Sequence, residues 1–254
     1  MKLFWQLLVV AVTLLAIPNM VLAAPVGTPL IPTIDLQIGG GNGTPQETSS
    51  AIQLLLILTV LSVAPAILLL MTSFTRIIIV LSFVRNALAT QQMPPNQVLI
   101  ALAMFMTFFI MAPTFAKVNE VAVQPFMQGQ LTQQQAFDAA VVPFKEFMAK
   151  QTREKDLKLF LEYTKAERPT TIEDIPLSAL VPAYAISELK TAFQIGFMIF
   201  IPFLMIDLII SSILMGMGMM MLPPVMISLP FKILLFIMVD GWYLVVKSLL
   251  TSFG

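Results

Sequence analysis

The chain has no cysteine and no histidine. Without cysteine there is no disulfide framework, no thiolate metal site and no cysteine nucleophile. Without histidine the commonest metal ligand and the commonest general base are also missing. An enzyme built on this sequence would have only Asp/Glu, Lys or Ser/Lys chemistry. Charge is scarce as well: Asp, Glu, Lys and Arg make up 11% of the 254 residues, where soluble domains carry roughly 25%. Fourteen bases and fourteen acids cancel, which excludes the basic footprint of a nucleic-acid binder. What fills the chain instead is apolar: 58% of residues, with a mean hydropathy of +0.90. This is the composition of a membrane protein, and not of a catalyst.

The few charges are unevenly placed. Residues 117–190 hold nine of the fourteen bases and ten of the fourteen acids. Two apolar blocks, 51–116 and 191–254, therefore flank one water-facing insert. At the front, Met1-Lys2, the apolar run Leu7 to Ile17 and the small residues before Ala24 have the layout of a secretory signal. Cleavage is expected between Ala23 and Ala24, giving a signal peptide over 1–23. Pro18-Asn19 weighs against an uncleaved first span. Residues 24–50 read as a flexible linker, with four Pro and five Gly between Pro25 and Pro45.

Four stretches are long and apolar enough to cross a bilayer, which takes about 20 residues: Ile52–Met71, Val98–Ala116, Ala192–Leu214 and Phe231–Leu250. Arg76 and Arg85, with no acid between Thr72 and Gln97, assign that loop to the cytoplasm by the positive-inside rule. The insert then lies on the outer side, periplasmic in a bacterial cell. These are not plain lipid-facing spans. Pro65, Pro113 and Pro202 each remove a helix hydrogen bond that hydrocarbon cannot replace. Asp207, Lys232 and Asp240 place charge in the apolar zone at about 2.5–3.5 kcal/mol each on insertion scales. Lys232 can snorkel to an interface, but a short carboxylate fifteen residues into its segment cannot. Protein partners or an aqueous lumen must therefore line part of the surface. The short apolar run Ile77–Val84, with arginines on opposite helix faces, is expected to pack against protein.

The insert reads as helical. Phe137, Val141, Phe144 and Met148 recur at amphipathic spacing, and Thr170 with Glu173 is placed as a capping box. From Pro182 to Leu214 a helix would run about 50 Å, longer than a 30 Å hydrocarbon core. Arg153 and Glu188 are either solvated charges or halves of a contact between subunits. Six of the eighteen methionines fall within 215–226. Thioethers on soft torsions tolerate changing partners, and Gly216 and Gly218 loosen the backbone between Met215, Met217 and Met219. The run is either a buried hairpin turn or an adaptable seal, and a seal requires several copies around one hole. Met93-Pro94-Pro95 and Leu222-Pro223-Pro224, each before the second arm of a hairpin, form a short internal echo.

Three segments, Thr72 to Leu88, Ile186 to Phe197 and Met217 to Lys232, together resemble the FliP family of flagellar biosynthetic proteins, the P subunits of the flagellar type III export gate. The resemblance spans residues 50–254. It implies an all-α, membrane-associated fold of two Pro-broken apolar hairpins around a periplasmic helical insert. It also implies a pentamer-like ring with Q and R subunits, further export-apparatus and basal-body ring proteins as neighbours, and unfolded flagellar proteins as cargo across the inner membrane. Neither cofactor nor catalytic residue is implied. By this resemblance Met219, Met220 and Met221, with Met215 and Met217, form a pore gasket, and Gly216 and Gly218 give the loop its flexibility. Arg153 and Glu188 would pair between neighbouring subunits, and Lys232 would face an acid of the Q subunit, with Asp207 in the same contact region. Two other readings compete. One is a proton-coupled small-solute transporter relaying through Asp207, Asp240 and Lys232, although no polar substrate cluster accompanies them. The other, an intramembrane hydrolase, lacks any local signature at its aspartates.

Overall fold

The computed structural model describes residues 45–90, 92–164, 169, 171–219 and 222–254. The expected signal peptide, its Ala23/Ala24 cleavage site and the linker as far as residue 44 lie outside these. Contacts divide the chain into residues 1–53 and 54–254. Of the first unit only the opening turns of helix α1 are described, and they correct the linker's end, because the helix begins at Pro45 and not after residue 50.

The described residues fold as helices with no strand among them: α1 (Pro45–Leu70), α2 (Phe74–Ala87), α3 (Asn96–Val118), α4 (Gln124–Met127), α5 (Gln133–Gln151), α6 (Glu154–Thr164), α7 (Leu177–Gly216), α8 (Pro224–Met238) and α9 (Gly241–Thr251). One π-helical turn, Asn119–Val123, joins α3 to α4. Pro125 follows at the second position of α4.

The centre of residues 54–254 is α2 laid along α7. Ile77, Val80, Leu81, Val84 and Ala87 recur at helical spacing and are all buried. They join Leu99, Ala103 and Met106 of α3, Ala192 and Phe203 of α7, Phe236 of α8, and Val245 and Leu249 of α9. The apolar run between the two arginines, too short to span, is thus core. Close approach of α2 to α7 depends on Gly196, since a Cβ there would lie 2.5 Å from Phe83 Cγ. A second cluster ties the insert to this core through Met71, Met148, Ile175, Leu180 and Tyr184.

Two of the four expected spans are single helices: residues 96–127 and the forty-residue α7, about 60 Å long at 1.5 Å per residue. The expected span Ile52–Met71 falls on α1, which bends by 68° into α2, and the expected span Phe231–Leu250 falls on α8 and α9, bent by 63°. The expected span Phe231–Leu250 is therefore corrected to two helices. Asp240 breaks it with a left-handed φ of 51°. Gly241 then packs so tightly on Phe236 that a Cβ would come within 2.2 Å of its ring. Asp-Gly is a turn signal, and in this stretch it overrides hydropathy. Pro65, Pro113 and Pro202 lie inside helices as expected, and so do Pro143, Pro182 and Pro230.

In the insert, the amphipathic stripe of α5 is buried progressively, from exposed Phe137 to fully buried Met148. The capping box expected at Thr170 and Glu173 involves Thr170, which lies outside the described residues; beside it, Thr171 Oγ1 donates to Asp174 Oδ2 at 2.8 Å. A complete capping box instead opens α5, from Thr132 and Gln135. The internal echo has a structural counterpart, because Pro95 and Pro223 both stand as extended N-cap residues, of α3 and α8.

Candidate functional site

Among the described residues three polar sites and one loop stand out. The most buried lies where α2 crosses α7. Arg76 and Glu188 form an ion pair that is 2% and 0% exposed. Arg76 Nε donates to Glu188 Oε2 at 2.9 Å, and Nη2 donates to Glu188 Oε1 and, at 2.9 Å, to Gln151 Oε1. Nη1 donates to the Ser252 carbonyl at 2.8 Å and to its hydroxyl at 3.1 Å. The Phe253 ring covers the guanidinium, 3.8 Å from Cζ to centroid. One turn away, the Tyr184 hydroxyl donates to the Thr72 carbonyl at 2.9 Å. Bidentate geometry and saturated donors are what permit a charge this deep in an apolar bundle.

This centre was missed in the sequence, where Arg76 counted only as a loop cation. Its burial leaves Arg85 as the single loop arginine behind the positive-inside argument, and Arg85 Nη1 is itself bonded to Asn96 Oδ1 at 2.5 Å. An available signal was arithmetic: one Arg and one Glu, each within an apolar helix, are best satisfied by each other. For Glu188 the resemblance suggests a partner in a neighbouring subunit. Within the chain, both of its oxygens are taken by Arg76.

The second site joins α7 to α8. Lys232 Nζ donates to Asp207 Oδ2 at 2.6 Å, and the Ser228 hydroxyl donates to Asp207 Oδ1. Lys232 is 2% exposed and Asp207 23%. Ser228, four residues before Lys232, lies on the same helix face, so α8 presents a hydroxyl and an ammonium together to one carboxylate. Both charges were singled out in the sequence, but not as each other's partner.

Arg153 stands just before α6. Its backbone N–H donates to Ser187 Oγ at 3.1 Å, and Nη2 donates to Thr191 Oγ1 at 3.2 Å and Gln194 Oε1 at 2.9 Å. Ser187 in turn donates to Asp156 Oδ2 at 2.7 Å. Arg153 thus meets the polar patch of α7 next to Glu188, with its Nη1 left unbonded. Asp240 belongs to none of these groups and occupies the bend before α9.

The methionine loop follows α7. Met219 N–H donates to the Leu214 carbonyl at 3.0 Å and Gly218 N–H to the Met215 carbonyl at 3.1 Å. With Gly218 at φ 75°, this is a Schellman stop. Gly218 therefore has a definite backbone duty, while Gly216 closes α7 with open space around it. Met215, Met217 and Met219 are 60%, 56% and 46% exposed. Met220 and Met221 lie outside the described residues.

Among the described residues no three acids gather as a metal could require. The outward faces of α3 and α7 are apolar, with Phe105, Phe109, Phe197 and Met198 all exposed. These features define an all-α membrane protein, apolar outside and ion-paired inside, with two to four helices able to span. Residues 57–249 match the FliP family. The flagellar biosynthetic protein FliP of Bacillus subtilis (strain 168) is 67% identical over 209 residues, covering 82% of this chain and 95% of that protein. That of Aquifex aeolicus (strain VF5) is 48% identical over 225 residues, 88% of this chain and 92% of the relative. That of Caulobacter vibrioides is 49% identical over 220 residues, 87% and 82%. The chain belongs to the FliP family, whose members serve flagellum biogenesis and protein export.

Proposed function

We propose that this chain is a pore-forming, non-enzymatic subunit of the flagellar type III export gate. It assembles with copies of itself and with Q and R subunits in the bacterial inner membrane, at the flagellar basal body, and passes unfolded flagellar proteins. One observation carries the reading. The long α7 turns apolar side chains outward along its length, while its two carboxylates, Glu188 and Asp207, are held by Arg76 and Lys232 within the fold, and it ends in an exposed thioether cluster. Such a surface suits packing against sister subunits. An exposed Met cluster suits a seal that must conform to varied cargo. The charged insert, 117–190, serves as the periplasmic assembly surface, with Arg153 at its junction with α7. Lys232 and Asp207, already joined, present one compact polar unit toward a neighbouring subunit.

A proton relay through Asp207, Lys232 and Asp240 has less support. Lys232 and Asp207 hold one another directly, and Asp240 is spent on a helix break. Replacing Met219, Met220 and Met221 together by Ala tests the seal. The assembled gate should then leak ions or small solutes while still exporting flagellar proteins. A gate of normal composition that stays tight with all three residues changed would refute it.

A further inference from the structure

The Arg76–Glu188 centre is closed on one side by residues far away in sequence. Arg76 comes from α2 and Glu188 from α7, both deep in the core, but the remaining cover is the short segment after α9. Ser252 offers a carbonyl and a hydroxyl to Nη1 of Arg76. The Phe253 ring lies over the guanidinium, and its other neighbour is Phe147 of α5, stacked at 6.3 Å between centroids and 17° between planes. Gln151 of α5 completes the hold, its Nε2 donating to the Phe253 carbonyl at 3.3 Å while its Oε1 accepts from Arg76. Beneath this cover the cation is nearly sealed from water, yet Ser252 and Phe253 are themselves only half-buried.

The chemistry favours the contact without making it permanent. A cation belongs at a helix C-terminus, where the last carbonyls are unpaired, and an aromatic face adds cation–π attraction. Every bond to the segment is nevertheless made to a half-exposed edge, which water can replace when the segment lifts. By contrast, α2 and α7 are joined by a fully buried apolar seam and a bidentate ion pair, which water cannot enter piecemeal.

We propose that Ser252 and Phe253 form a latch, a detachable cover that locks α9 onto the Arg76–Glu188 centre and opens without loss of the α2–α7 core. Docked, it fixes the second arm of the bent α8–α9 pair against α2 and α5. Released, it frees α9 and exposes two donor positions on Arg76.

The natural absence of cysteine makes a clean test available, since one introduced thiol is the only one in the chain. Val245→Cys reports on α9 and Val80→Cys on the α2–α7 seam, both at positions buried in the same cluster. N-ethylmaleimide labelling is followed in membranes of cells making the complete export apparatus. Adding Phe253→Ala should speed labelling at residue 245 about tenfold, as for a local opening, and leave residue 80 unchanged. Phe253→Tyr, which keeps the ring, should leave both rates as they were. An unchanged rate at 245 would overturn the latch. An equal rise at 80 would overturn it too, because Phe253 would then be ordinary core.

Discussion

Two ion pairs hang on the same forty-residue helix and are built differently. Glu188 and Asp207 are nineteen residues apart, about 28 Å along α7, close to the thickness of a hydrocarbon core. At the first, a planar guanidinium grips both carboxylate oxygens and spends its remaining donors on Gln151 and Ser252. At the second, a point-charge ammonium holds one oxygen and a serine hydroxyl the other, on a carboxylate that still meets its surroundings. Arginine's fork enforces geometry where lysine's flexible stem tolerates change. The rigid pair lies where α7 crosses α2 in the core. The looser pair lies toward the methionine loop, nine residues before the end of α7.

The largest effect should come from breaking the rigid pair. Glu188→Ala leaves a buried guanidinium unpaired, at a cost of about 3–5 kcal/mol. Full-length chain in membranes should then lose its protease-resistant form. Replacing both partners, Arg76→Met with Glu188→Leu, should recover much of that loss, because a buried pair exchanged for apolar groups is often neutral. If the double variant were no better than Glu188→Ala alone, the centre would owe its stability to Gln151 and Ser252 and not to charge pairing.

Between the two pairs, Gly196→Ala should cost about 1–3 kcal/mol by overpacking against Phe83. The loss should shrink when Phe83→Leu is added, and denaturant midpoints of the four chains would measure the coupling. At the looser pair, Asp207→Asn strips the counter-charge from Lys232, which is 2% exposed, but keeps an amide oxygen for its Nζ, so the cost should be about 2 kcal/mol, below that of Glu188→Ala. A loss at Asp207 matching that at Glu188 would erase the distinction between the ends of α7.

How much of this could be read beforehand follows the range of the signal. Helices, interior prolines and long apolar segments are local patterns, and α3 and α7 fall where hydropathy puts them. The break at Asp240 was also written locally, as Asp-Gly, but a span-length window averages over it. The Schellman stop at Gly218 was visible only as a glycine between methionines. Pairing is another matter: Arg76 meets Glu188 across 112 residues and Ser252 across 176. No spacing rule connects them, and only the expense of burying a lone charge hints that partners exist. Asp207 and Lys232 stood out for the same reason, and each was assigned elsewhere because a sequence cannot show that α8 folds back along α7.

The smallest effect on folding belongs to the loop, and it separates the roles of α7's two ends most sharply. Met219 is nearly half exposed, and what holds the turn is its backbone N–H on the Leu214 carbonyl, which Ala would keep. Met219→Ala should therefore move stability by less than about 0.5 kcal/mol, as surface changes do. Gly218→Ala, forced to a left-handed φ of 75°, should cost about 1 kcal/mol more. The order matters because the seal proposed for this loop has to change shape while its anchor does not. If Met219→Ala unfolded the chain as readily as Glu188→Ala, the thioethers would be part of the anchor, and the proposed seal would fall with them.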